Sequence, residues 1–468
     1  MATPHDDLLA ARPRPPAYHR GLHRTRPMNC RHCGAALRLP LIDLGSAPPS
    51  NAYLDDAALD RPEPRYPLRV LVCEQCWLVQ TEDFTRANDL FSADYAYFSA
   101  FSTSWLAHAQ RYVTDMAARF GLDAHSTVAE VAANDGYLLQ YVQARGIPCY
   151  GIEPTTSTAD AARERGIEIV EDFFGVRLAQ ALADAGRQAD LIAANNVLAH
   201  VPDINDFVRG FALLLKPEGV ATFEFPQLRS LVEGMQFDTI YHEHFSYLSL
   251  TAVQHLFAAN GLHVFDAHTL PTHGGSLRVF AQRTDTGTQR REPTVDALLA
   301  EEARAGIGSR AYYEALQGQA EAIGHGLRCW LQDCRRQGLR VAGYGAAAKG
   351  NTLLNFAGID SALLPYVVDR NPAKQGRYLP GSRIPIRSEA TLREDRPDIV
   401  LLLPWNLKTE LGEQLAYVSE WGGRLAVAVP AIEVFAPQPA GHATACTPNR
   451  ASTPASAQLS PQPDQSPT

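Results

Sequence analysis

The run TVAEVAANDGYLLQYV, Thr127 to Val142, decides the architecture. It opens as an apolar strand, breaks at Asn134-Asp135-Gly136 and resumes with helical spacing. Three more apolar runs follow the same plan. They are PCYGIEP, ending near Glu153, then ADLIAANNVLAHV, with its polar end at Asn195 and Asn196, and EGVATFEFP. Helical patterns separate them, and strand alternating with helix builds an open, doubly wound α/β sheet. After Ser249 or Thr251, either of which suits a helix cap, a helix runs to Asn260-Gly261. Two strand-like runs, LHVFDAHTL and SLRVFAQR, then flank the turn-rich PTHGG and append a strand pair to the sheet. Gly274 and Gly275 of that turn fit a ligand's close approach or a plain hairpin equally well.

Ligands of such sheets sit beyond the carboxyl ends of the strands. Glu130, Asn134, Asp135 and Gly136 stand at the first end, Glu153 at the second, and Asn195 and Asn196 at a later one. An acid closing the second strand can accept both ribose hydroxyls of an adenosine, or it can be a simple turn former. The loop after the first strand has no glycine-rich phosphate cradle, and no Lys or Arg lies near it. That disfavours a pyrophosphate cofactor and favours S-adenosylmethionine.

The whole chain has 468 residues, too many for one ordinary core, so two or three domains are expected. Hydrophobic content of 46% and charged content of 20% describe a soluble globular protein. A net charge of −9 argues against nucleic acid or an anionic membrane as partner. No apolar run reaches membrane-spanning length, and the Arg-, His- and Pro-rich start lacks an apolar signal core. A cytoplasmic, reducing compartment follows, where disulfides are not expected. Two C-x-x-C knuckles, Cys30/Cys33 and Cys73/Cys76, complete a closed zinc site of four thiolates, with a structural role. Cys149, Cys329, Cys334 and Cys446 have no ligand spacing.

LRVAGYGAAAKGNTLLNF reads as strand, glycine turn and helix. Gly343-x-Gly345-x-x-Ala348 with Asp369 downstream fits a dinucleotide fingerprint. Lys349 in the first helical turn departs from that fingerprint and suits a phosphate. The loop DRNPAKQGRYLPG, Asp369 to Gly381, lies at the same sheet edge. The stretch from Glu292 to Gly338 is amphipathic and helical, a packing linker.

DTIYHEHFSYLSL, Asp238 to Leu250, is the densest cluster of chemistry. His242, Glu243 and His244 are adjacent and cannot share one face, and the H-E-x-x-H zinc pattern is absent. A metal site, an aromatic knot and an acid–base centre all remain open on these residues alone.

EVAANDG, GIEP, NNVLAHV, FEFP, QFDTIYHEHFSYLSL and HGGSLRVF together resemble the class I methyltransferases that C-methylate nucleotide-linked keto sugars, notably the C-3 methyltransferases of TDP-4-keto-deoxysugars. The resemblance runs from Cys30 to about Val434 and includes both zinc knuckles. It implies an α/β protein with an N-terminal zinc-binding module, a class I Rossmann-like methyltransferase domain and a second, degenerate Rossmann-like domain at the C-terminus. It implies His244 as the base that forms an enolate, Tyr241 and Glu243 as groups positioning substrate or imidazole, and Asn196 and His200 at the sugar or cofactor. Lys349 would hold the diphosphate or close the cleft. DYAYFSAFS, read on its own residues, fits a loop or helix start that packs on the main domain, or a lid over the sugar with Tyr95 or Tyr97 donating a hydrogen bond. One position departs from the family: Ala132 stands where relatives carry glycine, which bears on cofactor affinity.

The expected organisation is a disordered leader (1–27), a zinc-binding module (28–90), a methyltransferase domain (91–285), a helical linker (286–338), a Rossmann-like domain (339–435) and a disordered tail (436–468). A monomer suffices for it. The rivals are an NAD-dependent nucleotide-sugar enzyme using the last domain, a C-methyltransferase of another carbon acid, and a non-catalytic nucleotide-binding protein.

Overall fold

The structure, a computed structural model, describes residues 28–82 and 99–437. Tyr95 and Tyr97, the expected leader and the expected tail beyond residue 437 lie outside the described residues. Strands β1 (Leu39–Ala47), β2 (Tyr66–Val72) and β3 (Val79–Thr81) belong to the first module. The middle of the chain supplies β4 (Val128–Val131), β5 (Cys149–Ile152), β6 (Ile169–Val170), β7 (Ala189–Asn195), β8 (Leu215–Pro226), β9 (Ser246–Tyr247), β10 (Leu262–Leu270) and β11 (Ser276–Arg283). The last part adds β12 (Val341–Tyr344), β13 (Val367–Val368), β14 (Ile386–Arg387), β15 (Ile399–Leu402), β16 (Arg424–Val427) and β17 (Glu433–Phe435).

The central sheet has the order β10-β11-β8-β7-β4-β5-β6. Strands β8, β7, β4, β5 and β6 run parallel. Strand β11 is antiparallel to both its neighbours, so β10 again points with the main sheet. The strand pair read from LHVFDAHTL and SLRVFAQR is appended at the β8 side of the sheet, with the later strand next to β8 and the earlier one at the edge. The parallel strands are apolar along their length because helices cover both faces. Phe211, Phe223 and Phe257 meet on one face with ring centroids 4.5 and 4.7 Å apart. All three are fully buried, and truncating such a ring costs about 3–5 kcal/mol.

Strand ends set the functional edge. Ala132 (φ +60°), Asn134 (φ +50°) and Gly136 (φ +77°) alternate through left-handed backbone after β4, and Asn196 (φ +54°) does so after β7. These positive φ values turn the chain sharply and expose backbone at the carboxyl edge. Ser249 caps the helix Leu250–Ala259, its hydroxyl accepting from Ala252 N at 3.1 Å.

The first module closes a four-stranded sheet, β1-β2-β3-β9, whose last strand comes from the middle of the chain. Ser246 and Tyr247 pair with Gln80 and Val79. The third sheet, β14-β13-β12-β15-β16-β17, has six strands, parallel but for β17. Apolar side chains of β1 and β2 share one core with the helix Leu316–Arg336 and with the face of β12, so the modules are joined by packing.

Candidate active site

The zinc-binding knuckles repeat one design. Gly34 N donates to Cys30 O, and Trp77 N to Cys73 O, each at 2.9 Å. Gly34 and Trp77 both take positive φ, which curls each turn so that two thiols face inward. Cys30 Sγ lies 3.5 Å from Cys76 Sγ, Cys33 Sγ lies 3.4 Å from Cys73 Sγ, and the four thiols stay within 4.8 Å of one another. Four thiolates about 2.3 Å from one ion sit at this kind of spacing, so the set fits tetrahedral zinc. No other group of His, Cys, Asp and Glu among the described residues makes such a cluster.

The expected cofactor edge also fits an adenosine-bearing ligand. Glu153 is buried and fixed by Asn134 N and Thr155 N, both at 3.0 Å from its carboxylate. Burial raises its carboxyl pKa, and the backbone donors pull it back. Asn134 Oδ1 accepts from Ser99 N at 2.9 Å. Asp135 gives one oxygen to Ala100 N and Arg165. Its other oxygen, with Asn195 Oδ1 and Asn196 Oδ1, is buried and accepts no hydrogen bond from the described residues. Glu130 is fully buried beside Tyr137, and burial raises its pKa well above the carboxylate range. Acceptors left waiting at one sheet edge are what a ligand with hydroxyls and an amino group satisfies.

His242, Glu243 and His244 separate as their adjacency requires. His242 Nε2 donates to Tyr66 O at 3.2 Å, toward the zinc-binding module. Glu243 Oε1 accepts from Asn51 Nδ2 at 3.1 Å. Burial raises the Glu243 pKa. His244 turns inward, its Nδ1 2.9 Å from Thr239 O. A carbonyl only accepts, so Nδ1 carries the proton and Nε2 of the neutral ring holds a lone pair. Burial, then His200, lower the His244 pKa well below the ordinary histidine value. His200 lies edge-on at 4.7 Å between ring centroids, and burial brings its pKa down to about 4. Tyr241 lies over the His244 ring at 4.0 Å.

Residues that follow β12 and β15 pack against this cluster. Lys349, at the start of the helix Ala348–Ala357, sits with Nζ 3.1 Å from Asn406 Oδ1, 3.5 Å from His273 O and 5.1 Å from the Trp405 ring centre. Burial lowers its pKa, and the nearby Asp238 opposes that. Trp405 Nε1 donates to Asp238 Oδ2 at 2.6 Å. Asp238 is fully buried, and its pKa is pushed up to about 6. The dinucleotide-like turn is filled by protein. Tyr53 Oη and Lys374 Nζ both donate to Ala346 O, at 2.7 and 2.9 Å. Asp369, the expected ribose acid, instead accepts from Ala346 N and Asn371 N, both at 2.8 Å.

Several groups at the site were not singled out from the sequence. His273, at φ +56°, brings Nε2 to 3.2 Å from Asn196 Nδ2, and its ring meets Trp105 at 5.1 Å. Glu224, at the end of β8, accepts from His108 at 2.9 Å, Arg278 at 2.7 Å and Thr272 at 3.0 Å. Burial would raise its carboxyl, but His108 and Arg278 outweigh burial and hold the pKa low. The motifs FEFP and HGG were the available signal.

Comparison with known proteins gives three family matches along the chain. Residues 30–91 match "Putative zinc binding domain", 105–267 "Methyltransferase domain" and 271–430 "C-methyltransferase C-terminal domain". C-methyltransferase NovU of Streptomyces niveus is 35% identical over 406 residues, 86% of this chain and 96% of that protein. Ubiquinone biosynthesis O-methyltransferase of Chelativorans sp. is 29% identical over 118 residues, 23% of this chain and 47% of the relative. Among solved structures, magnesium protoporphyrin IX methyltransferase of Synechocystis with bound SAH is 14% identical, with a TM-score of 0.32 over 38% of this chain and 83% of that one.

Proposed function

Since the chain belongs to the S-adenosylmethionine-dependent C-methyltransferases with a zinc-binding N-terminal domain, we propose that it methylates the carbon alpha to the ketone of a nucleotide-linked keto-deoxysugar, with His244 as base. The observation that carries this reading is the Nδ1–H bond from His244 to Thr239 O at 2.9 Å. It fixes the tautomer and leaves Nε2 free to take a proton in a pocket that keeps the ring neutral.

A carbon acid becomes a nucleophile once it loses its proton to Nε2. The electron pair then rests on the ketone oxygen as an enolate, and the Tyr241 hydroxyl beside His244 is the donor we assign to that oxygen. Bound S-adenosylmethionine supplies an electrophilic methyl on a sulfonium. Glu153, Asn134, Asn195 and Asn196 would hold it at the carboxyl edge, with Asp135 and Gly136 shaping the turn and Glu130 beneath it. His200 and Asn196 face the acceptor between cofactor and base. Lys349 balances the nucleotide's diphosphate. Glu243, tied to Asn51, positions the segment. Zinc keeps a structural role, and we take the module borders to lie near residues 90, 285 and 338.

A C-methyltransferase of another carbon acid would use the same base and is the second reading. Transfer of labelled methyl to a panel of TDP-4-keto-deoxysugars, with the new carbon located by NMR, tests the assignment. Label on the carbon next to the ketone supports it. A protein that binds the cofactor yet labels none of the panel would refute the keto-sugar assignment.

A further inference from the structure

We propose that Arg31, lying between the first two zinc ligands, is the positioning residue that fixes the His200–His244 pair, so that the zinc knuckle is part of the scaffold of the base. The inference rests on reading His244 as the base. One guanidinium joins three pieces of chain. Arg31 Nη1 donates to Pro202 O at 3.1 Å, two residues past the turn Leu198–His200 that carries His200. Its Nη2 donates to Thr81 O at 3.0 Å, and Thr81 Oγ1 donates to His244 O at 3.2 Å. The guanidinium carbon stands 5.3 Å from the centre of the Phe245 ring, the residue after His244. Phe245 N closes the loop by donating to Ala199 O at 2.8 Å.

The clamp is itself anchored. Arg31 N donates to Gln80 Oε1 at 3.0 Å, and Asn205 Nδ2 donates to His32 O at 2.9 Å and Arg31 O at 3.2 Å. His200 ends a single 3-10 turn and His244 stands two residues before a two-residue strand, so neither segment has an α-helix or a long strand to hold it. Segments of that kind open locally unless side chains tie them down. A planar fork bonding two carbonyls while lying over a ring is a task for arginine, because an ammonium cannot bridge both at fixed angles.

The test needs no substrate. Histidine carbethoxylation is followed residue by residue by mass spectrometry in the zinc-loaded protein. In Arg31→Ala, His200 and His244 should react about tenfold faster than in the wild type, the scale expected on losing a charged hydrogen-bond set. His242, which bonds Tyr66 instead, should keep its rate. Zinc content should be unchanged, because the four thiols alone make the ligand set. Arg31→Lys should fall between. Should Arg31→Ala fail to fold or lose zinc, Phe245→Leu removes the ring face and leaves the knuckle untouched, with the same signature expected. Unchanged His200 and His244 rates, or His242 rising in step with them, would overturn the clamp. If the clamp signature appears while His244→Ala still turns over, the scaffold stands and the base assignment falls.

Discussion

His200 and His244 meet edge to face with ring centroids 4.7 Å apart, and neither ring can take a proton without burying charge beside the other. Burial lowers both pKa values, and His200 adds to the effect on His244. A neutral ring with one defined tautomer presents a lone pair to a substrate proton, and its lowered pKa favours release of that proton afterwards. Replacing His244 by Ala or Gln should cut turnover by about 10²–10⁴-fold, the range of a positioned general base. Cofactor affinity by calorimetry should hold, because Glu153 and Asn196 lie on other segments. A variant of unchanged rate would remove His244 from the chemistry.

The same geometry sets a pH dependence. His244 acts as base only when neutral, so kcat/KM falls where the free enzyme protonates it. Its folded pKa lies below the ordinary 6.5 because of burial, then His200, with Lys349 and His273 adding repulsion. The acid limb should therefore lie below pH 6.5, and activity at pH 6.5 should be near its plateau. His200→Phe removes one repulsive neighbour and should move the limb upward, whatever it does to the plateau. An acid limb centred on an ordinary histidine value in both proteins would contradict the burial argument.

Ala132 sits at φ +60°, held there by its N–H bond to Ile152 O at 2.8 Å. A left-handed alanine costs about 1–2 kcal/mol, while glycine costs about 0.4–1 kcal/mol through its freer unfolded chain. Ala132→Gly should thus gain about 0.5 kcal/mol of stability. It should also bind S-adenosylmethionine severalfold more tightly if the methyl crowds the cofactor. Denaturant midpoints and calorimetry read the two effects separately, and weaker binding in the glycine variant would dismiss the crowding.

What could be read from the sequence was local. The C-x-x-C pairs, the strand ends at Glu153 and Asn195 and the appended strand pair each follow from spacing within a few residues. Residues that meet across modules had no such signal. Glu224 finds His108 and Arg278 on distant segments, and Lys349 finds His273 and Trp405 in the same way. Adjacency gave the separation but not the partners: His242 and His244 share a motif and point to different modules. The dinucleotide fingerprint was legible as a turn, but that Tyr53 and Lys374 fill it depends on chain far from it in sequence.

The zinc site should matter beyond its own module. Cys30, Cys73 and Cys76 are buried in the core that continues into the central sheet, and β3 pairs with β9 just after His244. Cys76→Ser should lose zinc by atomic absorption. The first module should loosen, since structural zinc supplies roughly 10 kcal/mol or more to small zinc domains. Turnover should then collapse while S-adenosylmethionine affinity changes less than about threefold. Loss of cofactor binding in step with zinc would place the metal's influence on the whole chain instead.

Lys349 carries the last prediction. Its ammonium has Asn406, His273 O and the Trp405 face around it and no carboxylate within salt-bridge distance among the described residues. A buried cation compensated this weakly is costly unless an anion arrives. A diphosphate is bound before and during the reaction alike, so its loss should appear in KM. An enolate oxygen exists only as the reaction proceeds, so its loss should appear in kcat. Lys349→Gln should raise the KM for a nucleotide-linked keto sugar about 10–100-fold, as for a lost charge-assisted contact, with kcat changed less than threefold. A collapse of kcat at constant KM would instead put the ammonium on the developing oxyanion, and Tyr241 would lose that role.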